Sequence, residues 1–249
     1  MLLRGLALGI SVVTLFFSAV GSVYAKPVSV VSMILGKGLQ EREGPGFYKD
    51  IIEAILKRSS FESVLEIHPF RRALSSFSSR QGDCIWALDI PLLNKLQVDT
   101  GALLSSSLVL TSSHRIFTLR GSPGTEALRD LKGRKVGVLN GSGITPDLET
   151  VSANIVALSS QTAKVDLLFR ERLDAIAGWA PDIYVTLASL GHKPEEMRAS
   201  PYTVRQTDVR IVCHSSDKTR EFIESINPVI ESFSISQTYR DIARKYGVP

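Results

Sequence analysis

The chain has 249 residues, of which 44% are hydrophobic and 22% are charged, and its formal net charge at pH 7 is +4. A chain of this length can form one large domain or two lobes of about 100 residues each. Because the basic residues are scattered along the chain, the composition gives no indication of a nucleic-acid partner.

The N-terminus carries the features of a secretory signal peptide. One positive charge, Arg4, precedes an uncharged apolar run from Gly5 to Val20, and Val23-Tyr24-Ala25 then offers a small-residue cleavage pattern. We therefore expect cleavage after Ala25 and an exported protein. The alternative is an N-terminal membrane anchor, for which this apolar run is short.

Short apolar runs alternate with amphipathic stretches along the rest of the chain. Runs bounded by turn residues predict strands at 28–35, 64–67, 83–88, 115–119, 135–139, 154–158, 174–177 and 207–214. Apolar residues spaced by three and four positions predict helices at 47–59, 69–79, 146–152, 164–170, 182–190, 218–233 and 237–246. The alternation predicts an α/β fold with mostly parallel sheets flanked by helices.

The order of these elements also predicts two lobes. The strand–helix pattern ends near residue 110, starts again, and leaves one strand and two helices over at the end of the chain. After a signal peptide at 1–25, we expect residues 26–111 and 206–249 to form lobe 1. Residues 112–205 would form lobe 2, and the chain would cross between the lobes twice.

A glycine-rich bend follows the predicted strand Lys135–Leu139. The bend reads Gly141-Ser142-Gly143-Ile144 and leads into a helix, an arrangement in which backbone N–H groups converge on an anion. We expect Ser142, Gly143 and Ile144 to hold a carboxylate or a similar acceptor. The alternative is a tight turn with no ligand. The bend matches neither phosphate-binding fingerprint, because no Lys-Ser or Lys-Thr pair follows the glycines.

Arginines and tryptophans supply further candidates. Arg71 and Arg72 stand at the start of a predicted helix, where cations are electrostatically disfavoured, which favours a functional reason for one of them. Arg72 could bind an anionic solute and Phe70 could wall the site, whereas the alternative is a solvated arginine pair. Trp86 and Trp179 lie near strand ends and could stack on a flat solute or pack in the core.

Cys84 and Cys213 are the two cysteines of the chain. In an exported protein such a pair permits a disulfide, and the alternative is two buried thiols. Neither cysteine has the histidine signature of a catalytic thiol.

Several segments together resemble the bacterial periplasmic solute-binding proteins of the polar amino-acid type, solute-binding family 3. They are Gly46-Phe-Tyr-Lys-Asp-Ile-Ile, Pro69-Phe-Arg-Arg-Ala-Leu, Gly82-Asp-Cys-Ile, Ser105-Ser-Ser, Asp130-Leu-Lys-Gly-Arg-Lys-Val-Gly-Val, Arg172-Leu-Asp-Ala-Ile and Tyr239-Arg-Asp-Ile-Ala-Arg-Lys-Tyr. The resemblance implies a type II periplasmic binding protein fold, with two lobes, two hinge crossovers and closure around one small solute.

The resemblance also implies which residues form the site, and this chain departs from the family pattern at two of those positions. Ser107 belongs to the segment before the first crossover and would line the cleft. Family members place an arginine after the third strand to bind the α-carboxylate, but residues 89–95 contain none. They place an aspartate for the α-amino group where this chain has Trp179, with Asp182 three residues later. We therefore expect a small polar or anionic solute other than an ordinary α-amino acid.

The resulting hypothesis is a monomeric, non-enzymatic solute-binding protein without cofactor or metal, delivering its solute to an ABC-type permease. One alternative is a free-standing ligand-sensing partner of a membrane receptor. Another is a dehydratase-like enzyme on the same fold, which would need a general acid or base, with Asp89, Asp182 and His68 as the nearby candidates.

Overall fold

The computed structural model describes residues 26–98 and 101–249. The predicted signal peptide and its cleavage point before Lys26 lie outside these ranges. Within them, no helix combines the length and the apolar character needed to cross a membrane.

All the predicted strands and helices are present; the strands predicted at 135–139 and 154–158 have the predicted ends, and the ends of the others are shifted. The strands are β1 (Val28–Met33), β2 (Ser63–His68), β3 (Cys84–Leu88), β4 (Leu103–Ser105), β5 (Leu110–Leu119), β6 (Lys135–Leu139), β7 (Asn154–Leu158), β8 (Ala175–Ala180), β9 (Met197–Ala199) and β10 (Arg205–His214). The helices are α1 (Phe47–Leu56), α2 (Phe70–Ser78), α3 (Ile90–Lys95), α4 (Thr145–Thr150), α5 (Gln161–Phe169), α6 (Asp182–Ser189), α7 (Asp217–Ser234) and α8 (Gln237–Lys245). The sequence did not predict β4, β9 or α3.

The strands follow the order β2-β1-β3-β10-β5-β8-β6-β7, with β4 on β10 and β9 on β5. In lobe 1, β1 is parallel to both β2 and β3. In lobe 2, β6 is parallel to both β7 and β8. The predicted fold class is therefore confirmed, as two α/β units joined through β5 and β10.

The long strand β10 connects the two units. Its first half, Arg205–Val209, pairs antiparallel with β5, and its second half pairs antiparallel with β3 and β4. The pairing with β3 shifts register between Arg210 and Ile211. A strand that serves both sheets is suited to act as a hinge between the lobes. The predicted lobe boundaries fall on these crossover strands and stay a prediction.

Each sheet has apolar side chains on both faces, covered by helices. In lobe 1, α1 and α7 cover one face and α2 covers the other. In lobe 2, α4 covers one face, and α5 and α6 cover the other. Helix α6 also reaches lobe 1, because Val185 is buried in the lobe 1 core beside α1. The two lobes therefore share a packed contact at α6 in addition to the crossover strands.

A disulfide joins Cys84 and Cys213. The two residues lie opposite each other on β3 and β10, and their Cα atoms are 3.9 Å apart. Of the two alternatives open from the sequence, the structure has the bridge. It fixes the lobe 1 half of the hinge strand to the neighbouring strand.

Candidate functional site

A row of three side chains crosses the strands of lobe 2. His114 of β5 lies opposite Trp179 of β8 on one side and opposite Arg205 of β10 on the other. Residues opposite one another in antiparallel strands project from the same face of the sheet, so the three side chains share one face. The rings of His114 and Trp179 meet edge to face, with centroids 4.8 Å apart at an angle of 83°. This row is the centre of the candidate site.

The row lies beside the bend that follows β6. In the parallel pair of β6 and β8, Gly137 is opposite Ile176, so Trp179 is level with Asn140, just beyond the end of β6. Ligands of open α/β sheets bind beyond the carboxyl ends of the strands. The structure thus groups Trp179 with three other predicted site residues, namely Ser142, Gly143 and Ile144.

A tight turn shapes this bend. The N–H of Ser142 donates to the Leu139 carbonyl over 2.9 Å, and the Ser142 carbonyl accepts a 2.9 Å hydrogen bond from Oγ1 of Thr145. Gly143 is exposed, whereas Ile144 is only 1% exposed as a whole residue, so Gly143 offers the accessible backbone of the bend. In the part of the chain that the structure describes, the N–H groups of Gly143 and Ile144 have no hydrogen-bond partner.

The short helix α4 changes the reason for expecting an anion here. It has only six residues, so the helix dipole invoked from the sequence gives little attraction by itself. The main positive charge comes instead from a residue that the sequence analysis did not select, Arg205.

The guanidinium of Arg205 lies over the bend. Its Nη1 is 3.3 Å from the position that a Cβ on Gly143 would occupy, and its Nη2 is 2.7 Å from Oδ2 of Asp147 on α4. The side chains of Arg205 and Asp147 are 42% and 37% exposed, so a solute can reach both. A guanidinium next to unpaired backbone N–H groups is suited to bind a carboxylate.

His114 separates Arg205 from Trp179. It is only 5% exposed, and its Nδ1 is buried without a hydrogen-bond partner. Burial lowers the pKa of His114 to about 4, and the positive charges of Lys164 and Arg205 act in the same direction. His114 is therefore neutral at physiological pH, and Arg205 carries the positive charge of the row.

Asp182 has a different environment from the one predicted for a cleft residue. Its Oδ1 accepts a 2.8 Å hydrogen bond from the hydroxyl of Tyr48, a buried residue of α1 in lobe 1. Burial raises the pKa of Asp182 to about 6, although the hydrogen bond from Tyr48 and the charge of Lys164 lower it. The carboxylate therefore joins the lobes and is not free to take a ligand's ammonium group.

Lys164 lies behind the same contact. Only 1% of the residue is exposed, and its Nζ donates a 2.5 Å hydrogen bond to the carbonyl of Ala177. Burial lowers the pKa of Lys164 to about 8, and the charge of Asp182 raises it. The buried residues Tyr48 and Lys164 thus flank the half-buried Asp182 where α6 meets lobe 1.

The predicted lobe 1 residues are not gathered with this site. Phe70 is 43% exposed and lines one groove with the end of α3, whereas Arg72 lines another beside β2. Both follow β2, which β1 and β3 separate from the hinge strand. Trp86 is fully buried in the lobe 1 core and has no surface to offer a solute. Ser107 instead bonds to α7, through Asn227 and Glu231.

The residues considered for acid–base chemistry are occupied by structural contacts. Asp89 caps α3 by accepting from the N–H of Leu92 over 2.7 Å, and it also accepts from Thr207 Oγ1 over 3.0 Å. His68 pairs with Glu66 at 3.1 Å.

Sequence reasoning missed Arg205, His114 and Asp147. Arg205 lies two residues before the predicted strand 207–214, and its position over Gly143 depends on the pairing of β5 with β10. Arg205 and Gly143 are distant in the sequence, and the pairing of the strands brings them together.

Solved structures share the fold over almost the whole chain. Substrate-binding domain 2 of GlnP from Lactococcus lactis, in an open conformation, matches with a TM-score of 0.67 and 16% identity, over 90% of this chain and 96% of that one. The unliganded, open L-cystine solute receptor of Neisseria gonorrhoeae matches with a TM-score of 0.66 and 11% identity, over 89% and 93%. The second substrate-binding domain of a putative amino acid ABC transporter from Streptococcus pneumoniae matches with 0.64 and 17%, over 88% and 99%.

No protein-family model matches the sequence, and no curated protein matches it. At identities of 11% to 17%, the structural likeness establishes the fold. The chain has the two-lobed type II periplasmic binding protein fold that the sequence predicted.

Proposed function

We propose that the chain is an exported solute-binding protein whose lobes close around a small organic anion. The observation that carries this proposal is the guanidinium of Arg205 over Gly143, at the carboxyl end of β6. The proposal extends to delivery of the solute to an ABC-type permease in the periplasm, since similar solved structures include substrate-binding domains of ABC transporters.

Arg205 and the bend supply complementary contacts for one anionic group. The guanidinium offers charged donors, and the N–H of the exposed Gly143 offers a neutral one, which has no competing partner within the described ranges. Asp147 holds Arg205 through Nη2, so Nη1 stays directed at the bend. A carboxylate between these donors would form charge-assisted hydrogen bonds on a surface already arranged for it.

Trp179 and the partners that Asp182 and Asp147 already have favour an anion without an α-ammonium group. The solute for which the similar Neisseria gonorrhoeae receptor is named, L-cystine, is an amino acid. Here Asp182 is bonded to Tyr48 and Asp147 is paired with Arg205, so neither carboxylate is available to an ammonium without breaking a contact. Trp179 offers an apolar ring face to the body of the solute.

The test is a ligand screen by thermal shift followed by calorimetry. Monocarboxylates, dicarboxylates and aromatic acids are compared with α-amino acids and polyamines, because a ligand that binds only the native state raises the melting temperature. We expect a hit among the organic anions, and Arg205→Ala should abolish the shift and the heat of binding. Arg205→Lys should keep weaker binding, since it retains the charge but loses the planar guanidinium.

A matched control is Arg170→Ala, which removes an exposed arginine that pairs with Asp166 of α5. The Arg170 variant should bind the hit as the unmodified protein does. Equal affinity in the Arg205→Ala variant would contradict the placement of the site, and a response confined to polyamines would contradict the anion proposal.

A further inference from the structure

A groove runs along the free edge of the lobe 1 sheet. We call it the β2-edge groove; its volume is about 480 Å³. Its lining residues are Arg42, Lys49, Glu53, Leu65, Glu66, Ile67, His68 and Arg72. Four of these are consecutive residues of β2, and consecutive strand residues point to opposite faces. The groove therefore borders the edge of β2, between α1 on one face and α2 on the other.

The edge of β2 presents backbone groups that no strand pairs. β2 stands at the end of the sheet, with β1 as its neighbour. At the two ends of that pair, Val28 N–H donates to the Glu62 carbonyl and Ile34 N–H donates to the His68 carbonyl. Alternate residues of a strand direct their peptide groups to opposite sides, so those of Leu65 and Ile67 point away from β1, into the groove.

The sequence of β2 leaves this edge open. Proteins block exposed edges with lysine, proline or a bulge. The segment Ser63-Val-Leu-Glu-Ile-His68 contains no lysine and no proline, and its pairing with β1 runs in unbroken register over six residues. The edge therefore keeps the geometry needed to accept a further strand.

The charges around the groove leave two guanidinium groups without a carboxylate. Glu66 pairs with His68 at 3.1 Å, and Glu53 lies 4.0 Å from Lys49. Arg42 and Arg72 have no side-chain hydrogen bond or ion pair with any residue in the described parts of the chain. Arg42 lies beside α1, since its carbonyl accepts from Lys49, and Arg72 belongs to α2. One free cation therefore stands on each side of the strand edge.

We propose that the β2-edge groove is a docking site for an extended acidic segment of a partner protein, which adds as a strand beside β2. The partner's backbone would bond to the outward peptide groups of Leu65 and Ile67. Its side chains would alternate between the two faces, and carboxylates on neighbouring positions would reach Arg42 on one face and Arg72 on the other. Backbone pairing would supply the affinity, and the two arginines would favour a segment with negatively charged side chains.

The experiment uses a fluorescein-labelled peptide of about eight residues, the length of an ordinary strand, with two adjacent aspartates between threonine and valine residues. Fluorescence anisotropy should show saturable binding to the purified protein. At low ionic strength, where charge interactions are least screened, the Arg42→Glu, Arg72→Glu double variant should bind at least about tenfold more weakly. Arg71→Glu is the matched control, because Arg71 neighbours Arg72 in the chain but lines a different groove.

Two further peptides separate strand addition from simple charge attraction. A peptide with lysines in place of the aspartates should not bind. A peptide that keeps the aspartates but is N-methylated on alternate amides should lose binding, because it cannot pair with β2. Hydrogen exchange should show new protection at the amides of Leu65 and Ile67 when the unmethylated peptide is bound.

The absence of saturable binding at millimolar peptide would overturn the proposal. So would equal binding of the N-methylated peptide, or an equal loss of affinity in the Arg71→Glu control. The outcome is independent of the proposed solute site, because the double variant changes neither Arg205 nor the bend after β6. Its response to the solute should match that of the unmodified protein.

Discussion

The hydroxyl of Tyr48 on α1 donates a 2.8 Å hydrogen bond to Oδ1 of Asp182 at the start of α6. This bond joins two residues 134 positions apart and links the lobes directly. Asp182 also lies three residues beyond Trp179. The residue that contacts lobe 1 therefore follows directly on β8, the strand that carries part of the candidate site. Any change in this contact can therefore alter both stability and lobe geometry.

Tyr48→Phe should destabilise the protein more at alkaline than at acidic pH. The pKa of Asp182 is raised to about 6, so above that value the half-buried carboxylate is ionised, and in the variant it lacks the hydrogen bond that the Tyr48 hydroxyl donates. We expect a loss of about 1–3 kcal/mol in the free energy of unfolding above about pH 7. Below about pH 5 the loss should be smaller, because the carboxyl is then protonated.

Urea denaturation at the two pH values measures the difference. A loss that is the same at both would show that the hydroxyl does not interact with the ionised carboxylate. Tyr246→Phe is a suitable comparison, because that tyrosine also donates to an aspartate, Asp50, but within lobe 1 and at a partly exposed position.

Asp182→Asn should make the protein lose stability on acidification. The folded pKa of Asp182, about 6, exceeds its ordinary value of 3.8, so Asp182 adds stability below 3.8 and that contribution is lost as pH rises through 6. His114 has the opposite sign: its folded pKa of about 4 lies below 6.5, so its contribution is present above 6.5 and is lost as pH falls through 4. Each contribution has a size of about 3 kcal/mol.

In the unmodified protein the two contributions oppose each other between about pH 4 and about pH 6.5. Asp182→Asn removes the contribution of Asp182 and keeps that of His114, so the free energy of unfolding should fall as pH is lowered through this range. His114→Gln removes the contribution of His114 and keeps that of Asp182, so the free energy of unfolding should rise as pH is lowered. Parallel pH profiles for the three proteins would contradict both pKa shifts.

Removing the disulfide should cost a large part of the stability. Cys84 and Cys213 close a loop with a separation of 129 residues, for which the chain-entropy relation gives about 4–5 kcal/mol. The double variant Cys84→Ala, Cys213→Ala should therefore unfold at much lower urea concentration. The control is the unmodified protein denatured with a reductant, which should match the variant. A midpoint unchanged in both cases would show that the bridge does not restrain the unfolded chain.

The fold could be predicted further from the sequence than the site could. Continuous apolar runs gave β6 and β7 with the ends that the structure has, because buried parallel strands carry that pattern locally. Helix α3 was missed, since its six residues begin with Ile90-Pro91 and its start depends on the capping carboxylate of Asp89. The position of the Trp86 side chain could not be predicted, because an apolar strand has the same sequence pattern whether its tryptophan faces the core or the cleft.

The two tryptophans should respond to substitution in opposite ways. Trp86 is fully buried in the lobe 1 core, so Trp86→Ala should cost about 3–5 kcal/mol of unfolding free energy through the cavity it leaves. Trp179 is partly exposed and meets His114 edge to face, so Trp179→Ala should cost only about 1 kcal/mol. The Trp179 variant should nevertheless lose its thermal response to the solute, because that ring is proposed to cover the solute's apolar part.

Urea denaturation and the ligand screen, run on both variants, separate the two roles. An unchanged solute affinity in the Trp179 variant would place the solute elsewhere. A stable Trp86→Ala variant that has lost its solute response would return that residue to the site.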